Sequence, residues 1–520
     1  MFLATLTRRA VVVTAVAFLS TICAAGYQPS GLASTTHGTD AGSVRTDDTR
    51  APAVPIPQSP TADAPRFVGE PARPHAVSAP AVPRHPYMAP NGDSNLHDDA
   101  YATDTYDRPG PLGRDMKVTS TFLASECASV TFDSGGRLVA ICVGVQNPNL
   151  LMLHPHTLDL LAQYPLPPRQ AGLDNPFTEF SGGGYFYLDD RDRAVIPTTD
   201  RHIYVVRETR DPLGFERVRD YDLNPALGGD DAIVSALPDF SGRVWFVSRK
   251  GVVGYVDPTN GSVHVRRLAS ERITDSFAVD ESGGVYVVSN RALYRFGAGT
   301  NGAVQAVWRR EYPNTLSQKP GQVSDGSGTT PSLMGNRYVA ITDNADPMNV
   351  TVYRRGKAVE GDRVVCREPV FERGRSATDN SLIVTGRSIV VENNFGYTGP
   401  ASTTRGSVTE PGLARVDLDD DGTGCHTVWT SDVISPTVVP KLSLPNGLVY
   451  VYSKTRDADD PWYFTAVDFH TGEIAYKRLT GFGMGYNNNY APITIGPDGT
   501  AYVGALGGLV ALHDSATPIA

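Results

Sequence analysis

Short apolar segments alternate with Gly-containing turns along most of the chain. The apolar segments are rich in Val, Tyr and Ile, and in most of the turns Asp or Asn lies close to Gly, as in DFSGRVWFVS at 239–248. Such turns supply the positive φ that tight hairpins require, and the residues that follow suit β-strands. The pattern occurs eight times, at intervals of 41 to 60 residues, starting at Phe132, Asp189, Asp239, Asp280, Leu333, Val384, Leu444 and Gly496.

This periodicity predicts an all-β fold, an eight-bladed β-propeller over about residues 117–514. A repeat of roughly 40–50 residues with several strands is typical of a propeller blade, whose two apolar faces are buried only by stacking on its neighbours. A seven-bladed ring with one irregular blade and a pair of β-sandwiches are the alternatives. We expect a strand near residues 116–124 to close the ring by completing the blade that ends at 510–515.

The first hundred residues have a different pattern. Residues 1–25 have the features of a secretory signal peptide: Arg8 and Arg9, an apolar stretch over 10–22 and small residues at its end. The arginine pair is compatible with ordinary or with twin-arginine export. Residues 26–100 are rich in Pro, Ala, Ser and Thr, which predicts a disordered linker before a propeller domain over 101–520.

Composition and charge exclude some classes of function. The 520 residues carry 46 Lys and Arg against 56 Asp and Glu, a formal net charge of −10. This balance argues against binding to nucleic acid, which needs a basic face. Beyond the signal peptide, no apolar segment is long enough to span a membrane. We therefore expect a monomer that is secreted or located in the cell envelope.

The cysteines agree with export. Removal of the signal peptide leaves four, and an even number in an oxidising compartment suggests two disulfides, with unpaired buried thiols as the alternative. Of the three possible pairings we favour Cys127–Cys142 with Cys366–Cys425. The first pair flanks the turn at 133–136, so two antiparallel strands would bring its cysteines together.

The segment AVDFHTGEIAY near the carboxyl terminus carries a family resemblance. Its pattern of Ala-x-Asp-x-x-Thr-Gly-Glu followed by an aromatic residue comprises Ala466, Asp468, Thr471, Gly472, Glu473 and Tyr476. It resembles the repeat of quinoprotein-like, PQQ-repeat-type β-propellers, which implies the propeller fold. That superfamily includes PQQ-dependent dehydrogenases, but this sequence has only four Trp, no adjacent Cys pair and no CxxCH motif. We therefore do not expect PQQ, and the superfamily's non-catalytic scaffold propellers fit better.

The segment DLDDDG at 417–422 is a candidate metal loop. Asp417, Asp419 and Asp421 before Gly422 match the start of a calcium-binding loop, in which oxygen ligands on alternate residues surround the cation. The twelfth position, which is Glu in a complete EF-hand, is Val428 here. Calcium is therefore a candidate cofactor, and an acidic turn whose Asp side chains cap their own backbone is the alternative.

A group of polar residues next to predicted strands of neighbouring blades is the candidate ligand site. Loops of adjacent blades converge at the mouth of a propeller channel, so these carboxylates, amides and one ammonium group could meet around a ligand. The candidates are Asp343, Asn344, Asp379, Asn380, Glu392, Asn393, Asn394, Lys454, Asn487, Asn488 and Tyr490. The alternative is that they satisfy backbone groups in turns and bulges. Glu392 and Lys454 together would make an acid–base or ligand-orienting pair.

These observations predict a secreted β-propeller that binds a small ligand, a glycan or a partner protein of the envelope at a polar channel mouth. The alternative is an extracellular enzyme, either a PQQ-type oxidoreductase or a lyase or hydrolase that uses carboxylates of the rim. The sequence contains no G-x-S-x-G or H-E-x-x-H motif, so nucleophilic serine catalysis and zinc hydrolysis of those kinds have no support.

Overall fold

A computed structural model describes residues 51–144, 147–169, 177 and 181–515. The strands within these ranges form eight sheets, and each sheet contributes a blade of four antiparallel strands to the ring. The chain is therefore an eight-bladed β-propeller, as the repeat predicts. The signal peptide and residues 26–50 of the expected linker lie outside the described residues. No helix of the described part is long and apolar enough to cross a membrane.

The first four blades follow one another along the chain, each running from the innermost to the outermost strand. Blade 1 comprises Glu126–Phe132, Leu138–Val143, Pro148–Leu153 and Leu160–Pro165. Blade 2 comprises Tyr187–Leu188, Ala194–Pro197, His202–Arg210 and Leu213–Asp222. Blade 3 comprises Ile233–Pro238, Val244–Ser248, Val252–Val256 and Val263–Arg267. Blade 4 comprises Phe277–Val279, Val285–Val288, Ala292–Ala298 and Val304–Glu311.

The last four blades complete the ring. Blade 5 comprises Ser332–Met334, Tyr338–Thr342, Asn349–Arg354 and Val364–Pro369. Blade 6 comprises Ile383–Thr385, Ser388–Glu392, Leu413–Leu418 and Cys425–Ser431. Blade 7 comprises Lys441–Ser443, Leu448–Lys454, Pro461–Asp468 and Ile474–Phe482. Blade 8 comprises Ile493–Ile495, Ala501–Ala505, Gly508–His513 and, as its outermost strand, Lys117–Phe122. Two short 3-10 helices, Pro400–Thr403 and Met484–Tyr486, lie in connecting loops.

The turn between the first and second strands of a blade shows why the repeat has its sequence signature. In blade 3, Oδ1 of Asp239 accepts hydrogen bonds from the backbone N–H groups of Ser241 (2.8 Å) and Arg243 (3.1 Å). Gly242 has a φ of 87°, in the left-handed region that favours glycine. Because Asp closes the turn and Gly permits it, the two buried strands on either side stay in register.

The ring closes as predicted, without a covalent bond. Lys117–Phe122 pairs antiparallel with Gly508–His513, from Lys117 opposite His513 to Phe122 opposite Gly508. Blade 8 therefore combines three strands from the carboxyl end of the domain with one from its amino end.

Both predicted disulfides are present. Cys127 and Cys142 lie opposite each other on the first two strands of blade 1. Cys366 and Cys425 lie on the outermost strands of blades 5 and 6, so this second disulfide joins two neighbouring blades.

The prediction of a disordered linker over residues 26–100 is wrong for residues 51–100. Phe67–Gly69 adds a further strand to the outer edge of blade 7, opposite Tyr476–Arg478. The side chains of Ile56 and Met88 are buried between this segment and the blades. The segment contains few apolar residues, but main-chain hydrogen bonds join it to the blades, such as those from His75 to Asn446 and from Val77 to Leu444.

Residues 94–106, which we call the plug, cross one end of the channel. Their carbonyl groups accept hydrogen bonds from the first strands of successive blades: Ala100 from Val279, Tyr101 from Leu333, Thr103 from Val384 and Asp104 from Leu442. Thr105–Tyr106 also pairs parallel to Leu442–Ser443. The plug therefore seals the channel on the side where the first strands end.

Candidate functional site

A cavity of about 90 Å3 lies in the central channel, next to the plug. Since about 10–15 Å3 of such space holds one water, the cavity has room for several water molecules or one small organic molecule. The polar residues that line it are His97, Ser125, Glu126, Arg169, Tyr185, Asp275, Thr330, Asp379, Asn380, Ser381, Asn489 and Tyr490. We call this space the channel cavity.

Most of these side chains occupy equivalent positions in different blades, at the start of the first strand or directly before it. Asp275 is two residues before Phe277–Val279, and Asp379 is four residues before Ile383–Thr385. The first strand is the innermost strand of each blade, so residues at its amino end face the channel. Blades that are distant in sequence thereby contribute to one site.

Asp275 of blade 4 and Asp379 of blade 6 are the acidic groups on one side of the cavity. Burial raises the pKa of the Asp275 carboxyl to about 7, although a hydrogen bond from Thr274 opposes the shift. Burial, together with the nearby charge of Asp275, raises the pKa of Asp379 well above its ordinary value. Oδ1 of Asp379 accepts a hydrogen bond from the backbone N–H of Val323 at 3.1 Å. Burial therefore favours the protonated form of both carboxyls.

Glu126 of blade 1 is a third acidic group. Burial raises its pKa to about 8, while a hydrogen bond from Asn489 and the positive charge of Arg169 act against the shift. Nδ2 of Asn489 lies 3.0 Å from Oε2 of Glu126. Glu126 thus has a cationic neighbour.

His97 on the plug forms part of the cavity floor. Its Nδ1 lies 3.3 Å from Oδ1 of Asp104 and 3.1 Å from Oγ of Ser381. The imidazole stacks on Tyr185, with the ring centroids 6.0 Å apart. Nε2 of His97 is buried and has no hydrogen-bond partner among the described residues.

Asn380 presents a second such atom. Its Nδ2 donates to Oε2 of Glu392 (2.5 Å) and to the carbonyl of Val438 (2.8 Å). Its Oδ1 is buried and, within the part of the chain that the structure describes, has no partner. A buried polar atom without a partner costs free energy, so a molecule in the cavity that donates to these atoms would be stabilised.

Three residues of the predicted site, Asp379, Asn380 and Tyr490, line the cavity. Two more lie directly behind them. Oε2 of Glu392 accepts hydrogen bonds from Nδ2 of Asn380 and, at 3.0 Å, from Nδ2 of Asn394. Burial raises the pKa of the Glu392 carboxyl to about 8, with these hydrogen bonds opposing the shift.

The other predicted residues lie outside the cavity lining and use their polar groups within loops. Nζ of Lys454 lies 2.8 Å from Oδ1 of Asp460, so its ion-pair partner is in its own blade and is not Glu392. Asp343 accepts hydrogen bonds from the backbone of its own loop, and Asn393 donates to two carbonyls. Similar contacts within and between loops occupy Asn344, Asn487 and Asn488.

The three aspartates of the candidate calcium loop have partners in the protein. Asp417 forms an ion pair with Arg415 (2.6 Å), and Oδ1 of Asp419 lies 2.8 Å from Nδ1 of His426. Oδ1 of Asp421 accepts from the backbone N–H of Thr423 at 2.9 Å. Among the described residues, no group of three or more His, Cys, Asp and Glu side chains is arranged to hold a metal ion. Calcium binding at this loop stays a prediction.

Sequence reasoning missed His97, Glu126, Arg169, Tyr185 and Asp275. For three of them a signal existed: Glu126, Tyr185 and Asp275 begin or directly precede a first strand, as Asp379 does. His97 could not be found in this way because it lies in the segment that we expected to be disordered.

Comparison with known proteins gives one relative by sequence. No protein-family model matches the chain. An uncharacterized protein of Archaeoglobus fulgidus is 31% identical over 365 residues, which cover 64% of this chain and 70% of that protein.

Similar solved structures include two lyases. A streptogramin B lyase has a TM-score of 0.36 and 9% identity, over 76% of this chain and 97% of that one. Virginiamycin B lyase from Staphylococcus aureus has a TM-score of 0.40 and 10% identity, over 64% of this chain and 96% of that one. These similarities assign no activity to the present chain.

Proposed function

We propose that this chain, which belongs to the same protein family as the uncharacterized Archaeoglobus fulgidus protein, binds a small polar molecule in the channel cavity. The observation that carries the proposal is the combination of a cavity of about 90 Å3 with two buried polar atoms that have no hydrogen-bond partner among the described residues, Nε2 of His97 and Oδ1 of Asn380. Ligand sites are typically concave, with a few convergent polar groups and carboxyls of shifted pKa.

Export of the protein is part of the proposal. The signal-peptide features of residues 1–25 and the two disulfides support a location outside the cytoplasm, where disulfides persist. The ligand would then be a molecule of the cell envelope or of the surroundings. It would enter from the face opposite the plug.

Acid–base catalysis is a second candidate function, and it rests on a specific observation. Asp275 has a pKa of about 7 and Glu126 one of about 8, values at which a carboxyl can both accept and donate a proton near neutral pH. They come from blades 4 and 1 and line the same cavity. A lyase or hydrolase that uses these carboxyls would still require the binding site proposed above.

The binding proposal can be tested by filling the cavity. Ala128 lines it, whereas Ala358 is exposed on the outer part of blade 5, so Ala128→Phe and Ala358→Phe form a matched pair. Binding of butylammonium, 1-butanol, glycerol, glucose and acetate would be measured by calorimetry and by the shift in Tm. We expect at least one probe to bind the wild type and Ala358→Phe, but not Ala128→Phe.

Two further results complete this test. If Ala128→Phe fails to fold, Ser125→Trp, at another position of the cavity lining, replaces it. If no probe binds, or if every probe that binds does so equally well in the cavity-filled variants, the channel cavity is not a ligand site and the proposal is wrong.

A further inference from the structure

We infer that the molecule bound in the channel cavity is a small organic cation with N–H donors, such as a primary alkylammonium compound, seated between the carboxyl groups of Asp275 and Asp379. This inference rests on the proposed function and specifies its ligand. It follows from three independent properties of the cavity: its hydrogen-bonding groups, its charge and its aromatic lining.

Two atoms of the cavity-lining residues that have no hydrogen-bond partner among the described residues, Nε2 of His97 and Oδ1 of Asn380, can accept hydrogen bonds. The Asp104 carboxylate beside Nδ1 of His97 is held ionised by Lys441 and can only accept, so the imidazole proton resides on Nδ1. In that tautomer Nε2 is a hydrogen-bond acceptor. Because Nδ2 of Asn380 is used by Glu392 and Val438, its Oδ1 is an acceptor too. A ligand that satisfies both atoms must donate hydrogen bonds.

The acidic groups that line the cavity are only partly balanced by positively charged side chains. Arg169 acts on Glu126, but neither Asp275 nor Asp379 has an ion-pair partner among the described residues. Their hydrogen-bond donors are a hydroxyl group and a backbone N–H. Without a cation, two buried carboxyls either stay protonated, because a buried charge is costly, or ionise and repel each other. A cationic ligand would offset both the cost of burial and the repulsion.

The walls of the cavity also suit a cation. Tyr185 and Tyr490 line it together with Phe177, so three aromatic rings border the space. Aromatic rings attract ammonium groups through the negative potential of their faces, and they pack against the alkyl part of such a ligand.

Binding of a cation would release protons. The titratable and charged groups around the Asp275–Asp379 pair are His97 on the plug, Tyr185 of blade 2, Tyr312 after blade 4, Tyr490 before blade 8, and Glu126, Arg169 and Glu392. A cation favours the ionised carboxyls, so affinity should rise with pH until both carboxyls have lost their protons. Below their pKa the affinity should fall about tenfold per pH unit for each proton released.

The experiment compares butylammonium with 1-butanol, which is similar in size but neutral, on the full chain. We expect butylammonium to bind at least about tenfold more tightly than 1-butanol, and to release protons, seen as a dependence of the calorimetric heat on the ionisation enthalpy of the buffer. Asp275→Asn and Asp379→Asn should each weaken butylammonium about tenfold or more and leave 1-butanol unchanged. Asp432→Asn, at an exposed position, should change neither.

The outcomes separate this inference from the proposed function. If 1-butanol, glycerol or glucose binds in a way that Ala128→Phe abolishes, and butylammonium binds no better, the cation inference is wrong and the binding function stands. If no probe binds in a way that Ala128→Phe abolishes, both are wrong. Tighter binding of butylammonium that is unaffected by both aspartate variants also contradicts the inference, because the cation then lies elsewhere.

Discussion

Lys441, in the first strand of blade 7, forms a fully buried ion pair with Asp104 of the plug, with Nζ 2.5 Å from Oδ1. Nζ also lies 3.1 Å from Oδ2 of Asp98 and donates to the carbonyl of Leu96. Burial opposes the charge of Lys441, but the two aspartates raise its pKa above the ordinary value. Asp104 also contacts His97, which forms part of the cavity floor. The ion pair between Lys441 and Asp104 therefore attaches this floor to blade 7.

Replacement of this lysine should destabilise the protein strongly. In Lys441→Met the carboxylates of Asp98 and Asp104 lose their buried cation, and removal of one partner of a buried pair costs about 3–5 kcal/mol. The midpoint of equilibrium unfolding in urea should fall accordingly. Lys357→Met, at an exposed lysine, serves as the matched control and should change the midpoint little. An unchanged midpoint in Lys441→Met would show that the ion pair does not fix the plug.

The ligand-free protein should lose stability as the pH rises. Asp275, with a folded pKa of about 7, and Glu126 and Glu392, at about 8, keep protons that the unfolded chain has already released. Unfolding therefore releases protons. Each proton released lowers the free energy of unfolding by up to about 1.4 kcal/mol for every pH unit of increase. His85 acts oppositely, because burial lowers its pKa from 6.5 to about 4, so its effect is confined to lower pH.

The free energy of unfolding should therefore be measured by urea unfolding at several pH values between about 6.5 and 8. We expect the free energy of unfolding to fall across this range, and Glu126→Gln or Asp275→Asn to flatten the dependence because the neutral side chain has no proton to lose. Asp432→Asn should leave the slope unchanged. A free energy that is constant or rises with pH would mean that these carboxyls are ionised in the folded protein.

The repeated part of the fold was predictable because local chemistry determines it. The Asp and Gly of each turn and the apolar segment that follows mark a blade, and the position of Cys127 and Cys142 around one turn indicates their disulfide. Residues 51–100 were not predictable in this way. Their order depends on bonds such as that from the N–H of Leu188 to the carbonyl of Ser94, which exist only after the blades have formed.

The site was predictable in part for a related reason. Asp379, Asn380 and Tyr490 were recognised as polar residues before a first strand, and they line the cavity. Asp343 follows a second strand and Lys454 ends one. A second strand lies one strand farther from the channel axis than a first strand, and sequence spacing alone does not distinguish these two positions. The distance of a polar side chain from the channel axis depends on which strand of the blade carries it. That distance is known only once the strands are assembled into the ring.

The interblade disulfide should contribute measurably to stability. Cys366–Cys425 joins cysteines 59 residues apart, and a crosslink of this span restricts the unfolded chain, typically stabilising by about 2–4 kcal/mol. We expect the Cys366→Ala/Cys425→Ala variant to unfold at lower urea concentration than the wild type. Titration of thiols in denaturant should find none on Cys127, Cys142, Cys366 and Cys425 of the wild type. Four reactive thiols would contradict both disulfides.

Asp514 lies where the ring closes, directly after the third strand of blade 8. Oδ1 and Oδ2 of Asp514 accept hydrogen bonds from the backbone N–H groups of Leu112 (2.7 Å), Gly113 (3.1 Å) and Arg114 (2.9 Å), just before the closing strand Lys117–Phe122. Hydrogen bonds to a charged group are each worth about 1.5–3 kcal/mol, but these donors are partly exposed and regain water when the acceptor is lost.

We therefore expect Asp514→Ala to lower the free energy of unfolding by about 2 kcal/mol, in line with the net value of such bonds. Asp514→Asn keeps one acceptor oxygen and should lose less, and Asp432→Ala should lose little. Hydrogen exchange should show faster exchange of the amides of residues 118–122, because the closing strand then loses one of its anchors and keeps its ladder to Gly508–His513 and its hydrogen bond to Val54. If exchange in this strand is unchanged, the ladder itself closes the ring and Asp514 is dispensable.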